Sequence, residues 1–173
     1  MTPQFVTERS LVRPLLLTDA LAIARLRSMD IVNKYIDRPK QLSVEQATAF
    51  IVRINEGNRN NQLFYWALCL KENPSLIGTI CLWNFNPDRT IGELGYELNP
   101  AYQHKGLMTE AIKPVIAFAF QTICLQKIEA FVHKDNAASK RLLETNNFKL
   151  QLGRKDESNP YNIIYVREVA KQK

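Results

Sequence analysis

The sequence predicts an α/β protein with a twisted mixed sheet of six or seven strands and about four helices on its faces. Residues 92–133 alternate a predicted strand, a helix and a second strand, and this order requires a parallel strand pair joined by a helical crossover. The strands before them are joined by hairpin-length turns, which favour antiparallel pairing. Apolar residues in the central helix recur three and four positions apart, so one face of that helix packs against the sheet.

Local signals divide the N-terminal half into its elements. The predicted order is a strand over residues 11–15, a helix over 20–29, a polar loop over 31–41, a helix from 43 to about 55, and strands over 63–71, 76–85 and 91–98. Pro14 lacks an N–H and therefore confines the first strand to an edge or a strand end. Thr18 or Asp19 can cap the first helix. Ser43 and Gln46 form a capping box for the second.

The C-terminal half carries two more helices and three more strands. The predicted order is a helix containing residues 108–120, a strand over 127–133, a helix over 137–145, and strands over 148–153 and 162–169. Pro114 removes the hydrogen bond to the Glu110 carbonyl and should bend the first helix. Asp135 and Asn136 cap the second helix. Since no repeat or linker divides the chain, the sequence predicts one domain over residues 1–173.

The composition excludes several classes of protein. The longest apolar run, residues 115–120, is too short to cross a bilayer, and residues 1–10 lack the apolar core of a signal peptide, so a cytoplasmic location is expected. Cys69, Cys81 and Cys124 lie in apolar stretches without metal-ligand spacing, which predicts buried reduced thiols and no metal. The net charge of +6 fits nucleic acid, a polyanionic cofactor or an acidic partner. Because no RNA-binding aromatic signature accompanies it, no direct nucleic-acid binding is expected.

Residues 99–110 join a strand to the central helix and give the first indication of function. This basic turn aims free backbone N–H groups and the positive end of the helix dipole at one point, where Lys105 and His104 add side-chain donors. Such a turn suits a phosphate or pyrophosphate. It has neither the Gly-Lys-Ser/Thr ending of a P-loop nor the three spaced glycines of a dinucleotide-binding turn.

The turn resembles the acetyl-CoA pyrophosphate loop of the GNAT N-acetyltransferases, Arg/Gln-x-x-Gly-x-Gly/Ala. Gln103, Gly106 and Met108 occupy the three specified positions, and Met108 replaces the usual small residue. The flanking segments 93–96 and 106–111 resemble the RimJ/RimL-like branch, in which Glu-x-Gly-Tyr leads into Gly-x-x-Thr-Glu-Ala. His104 stands where this branch often has glycine.

The resemblance spans nearly the whole chain, from Arg9 to about Phe148, and implies the GNAT fold, acetyltransferase activity and acetyl-CoA as co-substrate. Residues 135–148 resemble the family's second cofactor element, Asn-x-x-Ser-x-x-x-x-Glu-x-x-Gly-Phe, with Asn147 in place of the glycine. Asparagine also enters the left-handed conformation at helix ends, so this change is tolerable. The cofactor-binding residues that the resemblance implies are Leu98, Gln103, His104, Lys105, Gly106, Leu107, Met108, Thr109, Asn136 and Ser139. Purely structural roles are the alternatives for two of these residues. Asn136 would then only cap the helix, and Ser139 would only hydrogen-bond the backbone of its first turn.

Acetyl transfer from a thioester to an amine needs a neutral amine, a polarised carbonyl and close approach of the two. A backbone N–H on the strand ending at Leu98 can polarise the carbonyl. The resemblance gives Glu93 as the base for the amine proton, and Glu97, on the same strand face by alternation, is the alternative base. It also gives Ser139 as the proposed proton donor to the departing thiolate, since Leu143 replaces the tyrosine acid of many other members. Direct transfer leaves the cysteines without a role.

The expected acceptor is a primary amine. An α-amine costs about 1 kcal/mol to deprotonate at neutral pH and a lysine-like amine about 4–5 kcal/mol, which favours a protein N-terminus such as that of a ribosomal protein. A small amine, such as a polyamine, an amino sugar or an antibiotic, remains an alternative. Two other classes stay open, a non-catalytic acyl-CoA-binding module and a basic RNA- or ribosome-binding protein. No membrane partner is expected, and a homodimer is an alternative to a monomer.

Overall fold

The computed structural model describes residues 2–36, 38 and 43–169, in which alternating and capped segments form the strands and helices. The strands in this part of the chain are β1 (Phe5–Val6), β2 (Ser10–Pro14), β3 (Phe64–Leu70), β4 (Asn73–Trp83), β5 (Ile91–Leu98), β6 (Lys127–His133), β7 (Lys149–Leu150) and β8 (Asn162–Glu168). The α-helices are α1 (Ala20–Ser28), α2 (Asp30–Asn33), α3 (Val44–Arg59), α4 (Leu107–Gln121) and α5 (Ala137–Thr145). Short 3-10 helices span Leu17–Asp19 and Pro100–Tyr102.

The strands form one mixed sheet in the order β1-β2-β3-β4-β5-β6-β8-β7. β1 to β5 pair antiparallel in chain order, β5 and β6 pair parallel, and β6, β8 and β7 pair antiparallel. The predicted mixed α/β fold is therefore confirmed. The seven predicted strands correspond to β2–β8, and the additional strand, β1, has only two residues, which is too short to show alternation.

β5 and β6 pair over only part of their length. The parallel register ends where Glu93 lies opposite Glu129, whereas β5 continues to Leu98 and β6 to His133. A gap therefore opens in the middle of the sheet between the ends of these two strands. The backbone groups that face the gap have no neighbouring strand to bond and are available to groups from outside the sheet.

Helices cover both faces of the sheet. On one face, α4 packs against a core that includes the fully buried Trp66, Ile80 and Ile128. On the other face, α1 and α3 bury Ile23 and Ile51. No helix of the described residues combines the length and the apolar run that crossing a membrane requires.

Two helix ends differ from the sequence-based prediction. Asp19 does not cap α1 with its side chain, because its carboxylate accepts hydrogen bonds from the Arg13 guanidinium and the Leu16 N–H. α3 continues about one turn beyond its predicted end. There the Asn58 side chain bonds both the N–H and the C=O of Tyr65, so β3 holds the extra turn in place.

The segment after α1 also departs from prediction, since its first residues form the one-turn helix α2 instead of a loop. Residues 37 and 39–41 of the predicted loop lie outside the described residues.

The three cysteines are free thiols, but they differ in exposure. Cys69 is buried and Cys81 is half-buried. Cys124 is exposed, so the prediction of a buried thiol is wrong for this residue. It lies in the turn between α4 and β6, with a φ of 63°, and that turn holds its side chain at the surface.

Candidate active site

The segment between β5 and α4 is a tight turn with left-handed backbone at two residues. His104 has a φ of 60° and Gly106 a φ of 74°, which explains why the RimJ/RimL-like pattern favours glycine at the position of His104. The first backbone hydrogen bond of α4 joins the Glu110 N–H to the Gly106 C=O at 3.0 Å. The N–H groups of residues 107–109 precede it and lack partners within the helix, so they extend from its positive end.

This turn faces a cavity of about 700 Å³ that is bounded by β5, α2, α4 and α5. The predicted cofactor-binding residues that line it are Leu98, Gln103, His104, Gly106, Leu107, Met108, Thr109, Asn136 and Ser139. Val32 and Tyr35 form part of the wall on the α2 side, and Arg141 of α5 lies at another side. The two segments that the sequence assigned to a cofactor therefore face one common space.

The Lys105 side chain is bonded to the 3-10 helix that precedes the turn. Its ammonium donates to the Ala101 C=O at 2.8 Å and lies over the Tyr102 ring, 5.5 Å from the ring centroid. Of residues 103–109, it alone is not part of the cavity lining. The turn consequently presents backbone N–H groups to the cavity, while its lysine supports the preceding 3-10 helix.

The end of β5 presents a backbone N–H to the gap in the sheet. The Asn99 N–H donates to the Ile77 C=O at 2.8 Å, on the β4 side. Because successive backbone groups along a strand point to opposite sides, the N–H and C=O of Leu98 point away from β4. The Leu98 C=O accepts a hydrogen bond from the Gln103 side chain at 2.9 Å. The Leu98 N–H, on the same side, can polarise a carbonyl that enters the gap.

Asn136 caps α5 and also lies in the cavity lining. It is the N-cap of α5, since its Oδ1 accepts from the Ser139 N–H at 3.1 Å, and its side chain also lines the cavity. Just beyond the end of the same helix, Asn147 has a φ of 62°, the left-handed conformation predicted for this replacement of glycine.

Tyr96 of β5 contacts Ser139, and sequence reasoning gave Tyr96 no role. Its hydroxyl and Ser139 Oγ are 2.5 Å apart, and both residues line the cavity. Burial raises the pKa of Tyr96, although the hydrogen bond with Ser139 opposes this shift, so the phenol is protonated at neutral pH. Strand alternation in the sequence could have indicated this position, because it places residue 96 on the face of the sheet that α4 covers.

Glu97 lines the cavity, but other side chains already compensate its charge. Arg27 Nε lies 3.1 Å from one carboxylate oxygen, and Arg38 Nη1 lies 2.7 Å from the other. Thr79 Oγ1 donates a further hydrogen bond at 3.1 Å. Burial opposes ionisation, but the two guanidinium groups outweigh it and lower the pKa of Glu97. A carboxylate stabilised in this way is a weak proton acceptor.

Glu93 lies at the closed end of the gap and is not part of the cavity lining. Its carboxylate accepts a hydrogen bond from the Asn84 side chain at 3.1 Å. Burial raises the pKa of Glu93, the Asn84 hydrogen bond partly offsets this rise, and the charges of Asp156 and Glu129 add to it. The regular β4–β5 register keeps both strand glutamates on one face, as alternation predicts, but their proton affinities are shifted in opposite directions.

Proteins with similar sequences are N-acetyltransferases. The family model described as "Acetyltransferase (GNAT) domain" matches residues 9–149. The uncharacterized N-acetyltransferase YoaA of Bacillus subtilis (strain 168) is 30% identical over 177 residues, which cover 97% of this chain and 100% of YoaA.

Solved acetyltransferases share the fold. The ribosomal-protein-S5-alanine acetyltransferase from Vibrio fischeri matches with a TM-score of 0.81 and 23% identity, over 99% of each chain. RimL, a ribosomal-protein α-N-acetyltransferase in complex with coenzyme A, matches with a TM-score of 0.79 and 16% identity, over 97% of each chain. At these identities the likeness establishes the architecture.

Proposed function

The chain belongs to the GNAT acetyltransferase family and is an N-acetyltransferase, and we propose that it transfers acetyl groups from acetyl-CoA directly to a primary amine. The observation that carries this proposal is the common cavity, in which the anion-binding turn, the N-cap of α5 and the open edge of β5 meet. Its volume of about 700 Å³ lies within the range of cofactor sites. The complex of RimL with coenzyme A supports the same cofactor class.

The turn before α4 suits the phosphates of the cofactor. Backbone N–H groups at residues 106–109 converge with the positive end of the helix dipole, which is the arrangement that binds a pyrophosphate. The Asn136 side chain is available to the pantetheine arm on the opposite wall. When bound, acetyl-CoA supplies the activated acetyl thioester, and the chain's own groups orient it.

Two protein groups act on the thioester. The Leu98 N–H donates to the carbonyl oxygen, on which negative charge develops during transfer. Ser139 gives its hydroxyl proton to the departing thiolate and regains a proton from solvent through the cavity. Tyr96 Oη lies 2.5 Å from Ser139 Oγ, and in the proposed step the phenol donates to Oγ and so orients the Ser139 hydroxyl.

Glu93 is the proposed base for the acceptor amine. Its raised pKa makes it the better proton acceptor of the two strand glutamates, whereas Glu97 is held as an anion by Arg27 and Arg38. Since Glu93 does not line the cavity, the proton travels to it through water along the gap between β5 and β6. Glu97 remains the alternative base because it is the carboxylate nearer the cavity.

The proposed acceptor is an α-amine at a protein N-terminus. A carboxylate base needs to supply only about 1 kcal/mol to deprotonate such an amine at neutral pH, against about 4–5 kcal/mol for a lysine-like amine. The S5-alanine acetyltransferase of Vibrio fischeri, which shares the fold, modifies a ribosomal protein according to its name. We further propose that residues 1–173 form a single acetyltransferase domain, because one continuous sheet includes all the described strands.

Turnover of acetyl-CoA with a panel of acceptors tests the proposal. The panel contains peptides with free N-termini, the same peptides with a blocked N-terminus and one lysine, polyamines and amino sugars. Acetylation of the free α-amines is the expected result. Preference for a polyamine or an amino sugar would support the small-amine alternative. CoA binding without turnover of any acceptor would contradict the proposed activity.

A further inference from the structure

Four hydrogen bonds connect the segment before β2 with the start of α4. One carboxylate oxygen of Glu110 accepts from the Arg9 N–H at 2.8 Å and from the Thr7 hydroxyl at 2.5 Å. The other oxygen accepts from Arg9 Nε at 2.8 Å, and Arg9 Nη1 donates to the Lys105 C=O at 2.9 Å. We call Thr7, Arg9 and Glu110 the clamp. It joins the N-terminal segment directly to the anion-binding turn.

The contact with Lys105 controls where the next N–H points. The C=O of Lys105 and the N–H of Gly106 belong to one planar trans peptide, so they point in opposite directions. With the C=O held by Arg9, the Gly106 N–H points away from Arg9. Gly106 itself lines the cavity, whereas Arg9 is not part of its lining.

The turn needs such external support. It has left-handed backbone at both His104 and Gly106, and a left-handed conformation is unfavourable for a residue with a Cβ such as His104. The Lys105 C=O, between these two residues, accepts from Arg9 and has no helical N–H as partner. Burial opposes the ionisation of Glu110, but hydrogen bonds from Thr7 and Arg9 overcome it and lower the pKa of Glu110 to about 2. Glu110 is therefore an anion at neutral pH, and it fixes the Arg9 side chain.

We infer that Arg9 is a positioning residue for the phosphates of the cofactor: it acts through the peptide between Lys105 and Gly106 and does not contact the cofactor itself. The inference rests on the proposed function. The side chain of Arg9 is 48% exposed, so solvent screens its charge, and its main effect is on the orientation of this peptide.

The test compares two thioesters that differ in their phosphates. In Arg9→Gln, kcat/KM for acetyl-CoA should fall roughly 10- to 100-fold through KM, the equivalent of one hydrogen bond to a charged group. The value for S-acetyl-pantetheine, which has no phosphate, should not change. Arg25→Gln is the matched control, because it removes the same charge from an exposed position on α1 and should change neither value.

A loss shared by both thioesters would overturn the inference, since it indicates general damage to the fold. Arg9→Lys serves if the glutamine variant does not fold. A lysine keeps the charge but lacks the two separate nitrogens with which Arg9 bonds Glu110 and the Lys105 C=O, so a smaller, acetyl-CoA-specific loss is expected. Calorimetric titration with CoA measures the affinity for the cofactor directly, so it tests the role of Arg9 without any acceptor. Weaker CoA binding by the Arg9 variant supports the inference even if no amine is turned over, and unchanged binding refutes it.

Discussion

Two guanidinium groups hold Glu97 as an anion, whereas Glu93 is partly buried with neutral hydrogen-bond donors such as the Asn84 amide, and this difference separates their proton affinities. The side chains are chemically identical and lie four positions apart on one strand face. Only the neighbouring residues distinguish them, and these come from α1, from the segment at residue 38 and from the turn after β4. Sequence alternation could name both carboxylates but could not choose between them.

Substitution of the two glutamates should give different phenotypes. Glu93→Gln should lower turnover about 10²–10⁴-fold, the usual contribution of a general base. The loss should be greatest at low pH, and it should shrink as pH rises through the pKa of the amine, where the acceptor is already neutral. A pH–rate profile at saturating acetyl-CoA measures this.

Glu97→Gln is the matched variant on the same strand. It removes the buried counter-ion of the half-buried Arg27 and Arg38, so it should cost up to about 3–5 kcal/mol of stability, measured by urea unfolding. Glu97 would be identified as the base by two results together. Glu97→Gln would have to be stable and lose the acidic limb of the pH–rate profile, and Glu93→Gln would have to keep the pH–rate profile of the parent.

The contact between Tyr96 and Ser139 predicts non-additive kinetics. If Tyr96 acts only by orienting the Ser139 hydroxyl, Tyr96→Phe should lower kcat in the parent but have little further effect in Ser139→Ala. The measurement is a double-mutant cycle on kcat, with KM for acetyl-CoA as a check on cofactor binding. Fully additive losses would show that the two hydroxyls act independently.

Among the elements, α5 begins directly after Asn136, which is both its N-cap and part of the cavity lining. Asn136→Ala removes the cap and should cost about 1 kcal/mol of unfolding free energy. It should also raise KM for acetyl-CoA, because the same side chain lines the cavity. Ser43→Ala is the control, since Ser43 caps α3 with a similar hydrogen bond and is not part of the cavity lining. If Asn136→Ala loses stability but keeps the KM for acetyl-CoA, Asn136 acts only as a helix cap.

The stability that Glu110 contributes by joining the N-terminal segment to α4 should depend on pH. Its pKa is lowered to about 2 in the folded protein, against an ordinary value of about 4.3 in the unfolded chain. Its contribution is therefore present above about pH 5 and is lost as pH falls toward 2. The difference in unfolding free energy between the parent and Glu110→Gln should narrow over this range. A constant difference from pH 7 to pH 3 would contradict the assignment.

The sequence predicted those elements whose signals are local. The strand Lys127–His133 and the helix Ala137–Thr145 match their predicted bounds, because their signals are local. The strand alternates, and the helix has an asparagine cap directly before it and asparagines directly after it. The last turn of α3 was missed because Asn58 is held by the backbone of β3. The clamp and the contact between β5 and α5 likewise join residues far apart in sequence, so no local pattern indicates them.

For the molecule as a whole, the cofactor should act as a stabilising ligand. At 100 times its dissociation constant, CoA should add about 2.7 kcal/mol to the unfolding free energy. For a chain of this length, this corresponds to a rise in Tm of roughly 5–11 °C. Gly106→Val should lose most of this rise, since its backbone φ of 74° disfavours a β-branched residue and the turn must change. An equal rise in parent and variant would exclude binding of CoA phosphates by this turn.

The incomplete pairing of β5 and β6 has a consequence for how the chain folds. β2 reaches β3 only after α1, α2 and α3, but β3, β4 and β5 follow one another directly in sequence, so this part of the sheet closes through short loops. β6 joins it through a parallel pairing that ends at Glu93 and Glu129 and that requires the α4 crossover to be in place. Contacts of low sequence separation form faster than those of high separation, so the meander of β3, β4 and β5 should assemble before β6, β8 and β7 dock. The gap that we propose as the substrate site then lies at the last strand pair to form, and amide protons of β6 and β8 should exchange by partial opening before those of β3 and β4.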